Sequence, residues 1–180
     1  ALHLALIVAG VKPGDDVVVP SLSFIATTNA VKYVGANPVF ADVDAATLNL
    51  TPASVEAVLT PRTTAVMVVD QAGTPADMDA FTAMGAERGL SIVEDAACAA
   101  GSHYRGRPAG AACDVAAYSF HPRKLLTTGE GGMLVVSDAE TAVRARRLRE
   151  HGMSVSAADR HASGQVTPEA YLELGYNYRM

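Results

Sequence analysis

Three polar side chains suited to binding and transforming a small molecule follow apolar runs of the sequence. Asp95 comes after the run LSIV, Ser119 lies within AAYSF, and Lys124 stands just beyond it. If those runs are parallel strands, their carboxyl ends meet at one edge of the sheet, where open parallel sheets bind their ligands. We therefore expect a carboxylate, a hydroxyl and an amine to lie along one rim.

Asp95 follows residues that should be interior, so its carboxylate needs a partner, because an unpaired buried charge is very costly. Two partners are open. Asp95 could cap a short helix that begins at Ala96, accepting a backbone N–H. It could instead face a cationic heteroaromatic nitrogen and keep that ring protonated and electron-withdrawing.

Lys124 lies between two apolar strands, in the segment SFHPRKLLTTGEGG. A lone loop lysine is usually solvated. Here, however, Thr127 to Gly132 is small and glycine-rich, which would let a ligand approach the backbone closely. A partly desolvated lysine beside such a pocket can form a Schiff base with a carbonyl compound, and Ser119 offers a hydroxyl to a phosphate on the same rim.

Other candidate residues carry weaker signals. Phe24 is either a core residue or an aromatic plate under a cofactor ring, and Cys98 is more typical of a small buried thiol than of a nucleophile. No GxGxxG or GxxxxGK[ST] motif follows a strand, which counts against a plain Rossmann-type nucleotide-binding module. The five histidines lack metal-ligand spacing, so no metal site is predicted.

The elements that must position these residues alternate between short apolar strands and helices. Strands are predicted at 16–20, 38–43, 65–69, 90–93, 115–120 and 133–136, and helices at 2–9, 24–34 (capped by Ser23), from Thr51-Pro52, 77–88 and 139–151. This order predicts an α/β fold with three layers, α/β/α, around a mainly parallel sheet. Gly152 to Pro168 is polar and aperiodic, and is expected to be a mobile loop.

Composition and charge count against a nucleic-acid-binding protein and a membrane-spanning protein. The formal net charge is −5 and the basic residues are scattered apart from Arg144 to Arg149, which is typical of a solvated helix face and not of a nucleic-acid footprint. No run reaches the roughly 18 apolar residues of a membrane span. The two cysteines form no CxxC pair or secreted framework, so a cytoplasmic setting is expected.

Several separated motifs, in order, resemble the DegT/StrS family of nucleotide-sugar aminotransferases, enzymes of fold type I that use pyridoxal phosphate (PLP). The motifs are EDAA, SFHPRK and TGEGG, together with GDDVVVPSLSFIATTNAV, GANPVFADVD, TPRTTAV, PADMDA and GYNYRM. The resemblance runs from Ala1 to Met180. It implies that the chain is the central part of the PLP-binding large domain. The N-terminal phosphate loop and the small C-terminal domain would then lie outside it. The uncapped start at Ala1 and the end without a terminator agree with that expectation.

The resemblance also implies a role for each matching residue. Lys124 matches the lysine that binds the cofactor as a Schiff base and later moves the proton, and Asp95 matches the acid paired with the pyridine nitrogen. Ser119 matches a phosphate-binding hydroxyl, and Phe24 the aromatic position stacked on the ring. Asn177 matches a residue that reaches the cofactor phosphate of the partner subunit, which implies a homodimer.

Two positions depart from the family pattern. Cys98 stands near the cofactor's phenolic oxygen, where the family commonly has Gln or His, and a thiol is the poorer hydrogen-bond donor. Asp70 stands where the family often has His, so the surroundings of the site should differ there.

The function implied is transfer of an amino group from an amino acid, usually glutamate, to a keto-sugar nucleotide. A dehydratase branch of the family has His in place of the lysine. Lys124 counts against that alternative, although His121 is close in sequence. A non-catalytic relative is a further alternative, and the set Asp95, Ser119 and Lys124 counts against it.

Overall fold

Strands and helices alternate along the chain in the predicted order. The structure, a computed structural model, describes residues 1–163 and 168–178. The helices are α1 Leu2–Val8, α2 Ile25–Tyr33, α3 Pro52–Glu56, α4 Met78–Arg88, α5 Ala139–Arg149 and α6 Ala157–Ser163. The strands are β1 Asp16–Pro20, β2 Asn37–Ala41, β3 Thr63–Val69, β4 Ser91–Asp95, β5 His103–Tyr104, β6 Arg107–Pro108, β7 Val115–Ser119 and β8 Gly132–Val136.

Six of the strands form one sheet in the order β2-β1-β3-β4-β7-β8. The first five strands are parallel, and β8 alone runs antiparallel to its neighbour β7. The sheet is therefore mainly parallel, as predicted. The short strands β5 and β6 form a separate antiparallel pair that the apolar pattern did not predict, because two-residue strands carry no measurable period.

Alternate residues of the central strands pack into two hydrophobic clusters. In β1, Val17 and Val19 pack with α1 and α2, whereas Val18 packs with α3 and α4. In β3, Met67 and Val68 divide in the same way. Because successive side chains of a strand point to opposite faces, the sheet is covered on both sides. The predicted three-layer α/β/α class is confirmed.

Capping residues explain where several of the helices begin. Thr51 caps α3 with a capping box that includes Ser54, as predicted, and the Asp77 side chain accepts the Ala80 N–H at the start of α4. The predicted cap of α2 is wrong. Phe24 occupies the N-cap position without a side-chain bond, and the Ser23 hydroxyl is hydrogen-bonded to Thr27 instead.

The chain divides into two compact units, Ala1–Ser137 and Asp138–Met180. The second unit contains α5 and α6, and Glu173 forms ion pairs with Arg144 and Arg147 of α5. The loop predicted over Gly152 to Pro168 is partly wrong, since α6 occupies 157–163, while 164–167 lie outside the described residues. In the part of the chain that the structure describes, no helix is long and apolar enough to cross a membrane.

Candidate active site

The carboxyl ends of β4 and β7 meet at one edge of the sheet. Asp95, the last residue of β4, pairs in register with Ala117, and Ser119 ends β7 two residues further on. Lys124 follows in the segment that connects β7 to β8. The parallel sheet thus brings the three predicted residues to the same rim, as their positions after apolar runs indicated.

Asp95 is held by two donors at the bottom of this rim. Its side chain is 4% exposed, Oδ2 accepts the Thr27 hydroxyl at 2.9 Å, and Oδ1 accepts the Ala97 N–H at 3.2 Å. The helix predicted to begin at Ala96 is absent, so the capping alternative is wrong, although the backbone bond from Ala97 is present and occupies one oxygen. Burial raises the pKa of Asp95, and the bonds from Thr27 and Ala97 and the charge of Lys124 oppose that rise. A further cation at Oδ2 would act in the same direction as Lys124 and favour the carboxylate.

Thr27 is a site residue that the motif analysis missed. It is buried in the first turn of α2 and links Ser23, at 2.7 Å, to Asp95. The sequence contained one indication of this role: Thr27 is a hydroxyl residue on the face of α2 that otherwise carries the apolar Ala30 and Val31. The Ser23–Thr27–Asp95 chain of hydrogen bonds restrains the orientation of the carboxylate.

Lys124 and Cys98 are in contact. Lys124 is half-buried and its Nζ lies 3.1 Å from Sγ of Cys98. The expectation of a buried thiol at Cys98 is wrong, because the residue follows the buried Ala96 in the segment after β4 and faces the rim, where it is exposed. The lysine is accordingly not a freely solvated loop residue, and its charge is near enough to oppose the rise in the pKa of Asp95.

The segment after β7 folds back on itself around Phe120. The Phe120 carbonyl accepts the Thr127 hydroxyl and the Thr128 N–H, and its own N–H donates to Gly131. A Cβ at Gly131 would clash with the Thr128 hydroxyl. A larger residue here would displace the Thr128 hydroxyl from its bond to the Glu130 carbonyl, so contacts within the segment also favour glycine at this position.

The remaining predicted residues are half-buried or exposed. Ser119 is half-buried and its hydroxyl accepts the His121 N–H at 3.4 Å. Phe24 is 70% exposed, so the core alternative for this ring is wrong. Asn177 belongs to the second unit, where it is exposed and pairs with Glu150 in an antiparallel bridge. Among the described residues, no group of three or more His, Cys, Asp or Glu side chains could hold a metal ion.

The residues at the rim fit one cofactor chemistry. A buried carboxylate held by two hydrogen-bond donors suits a cationic ring nitrogen, and a half-buried primary amine suits an aldehyde. The hydroxyl of Ser119 and the exposed ring of Phe24 suit a phosphate and a flat heterocycle. All four belong to the first unit of the chain.

The comparison with protein families agrees with this chemistry. The model of the DegT/DnrJ/EryC1/StrS aminotransferase family matches residues 1–180. The chain belongs to this family. Membership explains the order of the motifs around Asp95 and Lys124, because the family is PLP-dependent and carries its cofactor residues on the fold described above.

Solved structures of aminotransferases share the fold. DesV of S. venezuelae, solved with a ketimine intermediate, is 42% identical with a TM-score of 0.87, over 98% of this chain and 44% of that chain. An aminotransferase from Psychrobacter cryohalolentis is 37% identical with a TM-score of 0.88, over 99% of this chain and 46% of its own.

Spr1654 of Streptococcus pneumoniae has been solved in a PMP form and a PLP form. Its PLP form is 29% identical with a TM-score of 0.84, over 98% of this chain and 48% of that chain. The present chain thus spans less than half the length of each of these relatives.

Proposed function

We propose that this chain is the central part of the PLP-binding large domain of an aminotransferase that moves an amino group from an amino acid, glutamate in the first instance, to a keto-sugar nucleotide. The observation that carries the proposal is that the buried Asp95 carboxylate and the half-buried Lys124 amine lie at the same rim of the sheet. The sugar acceptor is supported by Spr1654, which is named as a sugar aminotransferase.

Pyridoxal phosphate would supply an aldehyde that condenses with amines and a ring that withdraws electrons from the bond being broken. Lys124 would hold the aldehyde at rest, and its amine, once displaced by the amino donor, would carry the proton between substrate carbon and cofactor carbon. Asp95, held by Thr27 and Ala97, would keep the ring nitrogen protonated.

Three other residues would hold the cofactor in place. Ser119 would donate its hydroxyl to the phosphate and Phe24 would cover one face of the ring. Cys98, 3.1 Å from Lys124 Nζ, would lie beside the ring's phenolic oxygen. As a weak donor, its thiol would leave that oxygen less firmly bound than an amide would.

A homodimer with shared sites is part of the proposal. Phe24, Ile25 and Tyr33 project from the start and end of α2 and are 59% to 70% exposed, which is unusual for large apolar side chains on one helix. A second copy that covers α2 would bury them and close the rim near Phe24. Asn177 of one subunit would then reach the cofactor phosphate of the other. The unpaired cysteines, Cys98 and Cys113, agree with a cytoplasmic enzyme.

Borohydride reduction of the PLP-incubated, full-length protein, followed by peptide mass mapping, tests the cofactor and the lysine together. We expect a phosphopyridoxyl adduct on Lys124 and none on Lys12 or Lys32, the exposed lysines of the chain. Lys124→Ala should abolish the adduct, whereas Lys32→Ala should retain it. A folded protein without an adduct on Lys124 would contradict the proposal and favour a non-catalytic relative.

The substrates are tested by isotope transfer. The protein would be incubated with ¹⁵N-glutamate and a panel of keto-sugar nucleotides, and the sugar product would be analysed by mass spectrometry. Incorporation of ¹⁵N into one member identifies the acceptor. Adduct formation on Lys124 without transfer to any keto-sugar would leave the PLP enzyme standing and overturn the sugar acceptor.

A further inference from the structure

Two carboxyl groups are fully buried directly behind Asp95. Asp70 follows the last residue of β3, Glu94 is the penultimate residue of β4, and both are 0% exposed. The two strands are adjacent and parallel, with Val69 opposite Asp95. The Asp70 N–H donates to the Asp95 carbonyl at 3.1 Å, so Asp70 is joined to the strand end that carries the cofactor acid.

The hydrogen bonds of the two carboxyl groups differ. Glu94 Oε1 accepts the Gly110 N–H at 2.6 Å, and Oε2 lies 3.5 Å from the Cys113 thiol. Asp70 Oδ1 accepts the Ala76 N–H at 3.1 Å, but no donor among the described residues reaches Oδ2. Glu94 pairs in register with Val68, two residues before Asp70, so the two carboxyl groups lie on the same face of adjacent strands, and Glu94 is a charge that raises the pKa of Asp70. A proton on Asp70 Oδ2 would turn this unbonded oxygen into a hydrogen-bond donor, with the Glu94 carboxylate as the neighbouring acceptor.

Charges in the surroundings do not stabilise a second anion. None of the ion pairs formed by the described residues includes Asp70 or Glu94. The other titratable groups that face the pair are Asp95 of β4, Cys113 in the segment before β7, and Tyr118 of β7. Burial and Glu94 raise the pKa of Cys113 to about 12, and burial likewise raises that of Tyr118, so both are neutral at pH 7.

We propose that Asp70 and Glu94 hold a single proton between them, carried on Asp70 Oδ2, and that the neutral Asp70 is a positioning residue for Asp95. Burial and the neighbouring Glu94 raise the pKa of Asp70 to about 8. Above that pH two unpaired anions would face each other across the ends of β3 and β4. Repulsion between them would weaken the hydrogen bond from the Asp70 backbone N–H to the Asp95 backbone carbonyl. Asp95, which is proposed to hold the ring nitrogen, would then be less firmly positioned.

The protonation itself is tested without the cofactor, by urea unfolding of the full-length apoprotein from pH 5 to 9.5. A carboxyl group whose pKa is higher in the folded state contributes stability at low pH that is lost as pH rises through the folded pKa. The folding constant of the wild type, relative to Asp70→Asn, should therefore fall about tenfold per pH unit and level off above about pH 8. Parallel pH dependences would overturn the proposal.

Two further variants serve as an independent test and as a control. Glu94→Gln removes the like charge that faces Asp70, so the levelling-off should move to lower pH, and this result stands even if Asp70→Asn does not fold. Glu87→Gln, an exposed charge on α4, should follow the wild type at every pH. An unchanged levelling-off in Glu94→Gln would contradict a proton held jointly by the pair.

The positioning role rests on the proposed function and has a separate spectroscopic test. PLP retained after dialysis would be measured by its absorbance at pH 7 and pH 9.5. Wild type and Asp70→Asn should retain equal amounts at pH 7, and only the wild type should lose cofactor at pH 9.5. Loss by Asp70→Asn at pH 7, or equal loss at pH 9.5, would overturn the role. If neither protein binds PLP at all, the proposed function fails while the unfolding experiment still decides the protonation.

Discussion

At the scale of single residues, the position of Asp95 depends on neighbours from three parts of the chain. Thr27 of α2 donates to Oδ2 and the Ala97 N–H donates to Oδ1, while the backbone N–H of Asp70 donates to the backbone carbonyl of Asp95 and so holds the strand end. Burial alone would favour the neutral acid, which could not hold a cationic ring nitrogen. The hydrogen bond from Thr27 lowers the pKa of Asp95 and so favours the carboxylate that the proposed chemistry needs.

Thr27→Val should weaken both the fold and the cofactor site. The substitution keeps the shape of the side chain but leaves Asp95 Oδ2 without its donor, so we expect a loss of about 1–3 kcal/mol in the free energy of unfolding. The pKa of Asp95 should rise further, because a bond that lowers it is removed. Urea unfolding at pH 7 and PLP titration by absorbance measure the two effects.

Thr27→Ser is the matched control for this prediction. It retains the hydroxyl and should retain most of the PLP affinity, although it loses a buried methyl group. Equal PLP affinities of the valine and serine variants would show that the hydroxyl does not act on Asp95.

At the scale of elements, α4 approaches β4 unusually closely at Gly85. A Cβ at this position would lie 2.8 Å from the Leu90 carbonyl oxygen and 2.8 Å from Cγ1 of Ile92. The helix and the strand are connected only by Gly89 and Leu90, with Gly89 in the left-handed region at φ 67°. The short connection holds α4 against the strand whose last residue is Asp95.

Gly85→Ala should therefore destabilise the protein. In an ordinary exposed helix the same change stabilises by up to about 1 kcal/mol. Here the backbone carbonyl cannot move without displacing β4, and we expect a loss of about 1–3 kcal/mol. Urea unfolding measures it, and Ala86→Ser on the exposed side of α4 should change stability by no more than about 0.5 kcal/mol. A stabilised Gly85→Ala variant would contradict the close approach.

At the scale of the whole molecule, the sheet of the first unit is stabilised by two separate hydrophobic clusters, one on each face. Among the described residues, Phe81 of α4 is the largest fully buried side chain, and it belongs to the cluster with Val66 and Val68 of β3. The opposite cluster contains Leu6, Val31 and Met67. Neither layer of helices can be removed without exposing one face of the central strands.

Phe81→Ala should cost about 3–5 kcal/mol of unfolding free energy, because it leaves a cavity between α4 and the sheet. Phe40→Ala is the matched control, since Phe40 of β2 is 54% exposed and its truncation should cost less than about 1 kcal/mol. Calorimetry or urea unfolding compares the two. Similar losses for both variants would indicate that burial in the first unit is not distributed as described.

The sequence by itself determined the α/β class, the order of the main elements and the rim residues. Apolar runs of four or five residues and capping signals such as Thr51-Pro52 are local features, so they can be seen in the sequence without knowledge of the tertiary contacts. Strand boundaries were predicted within two residues, and the motifs around Asp95 and Lys124 identified the family. Parallel pairing then required the ends of β4 and β7 to meet.

Only the tertiary structure decided which side chains complete the site. Thr27 and Asp95 are far apart in sequence, as are Lys124 and Cys98, and no local pattern reports that they are in contact. Three further features depend on tertiary packing in the same way. They are the exposure of Cys98, the hydroxyl bond that Ser23 makes to Thr27 instead of capping α2, and the proximity of Asp70 to Glu94. Such contacts arise when two elements pack, and the free energy of a buried charge depends on all of its neighbours at once.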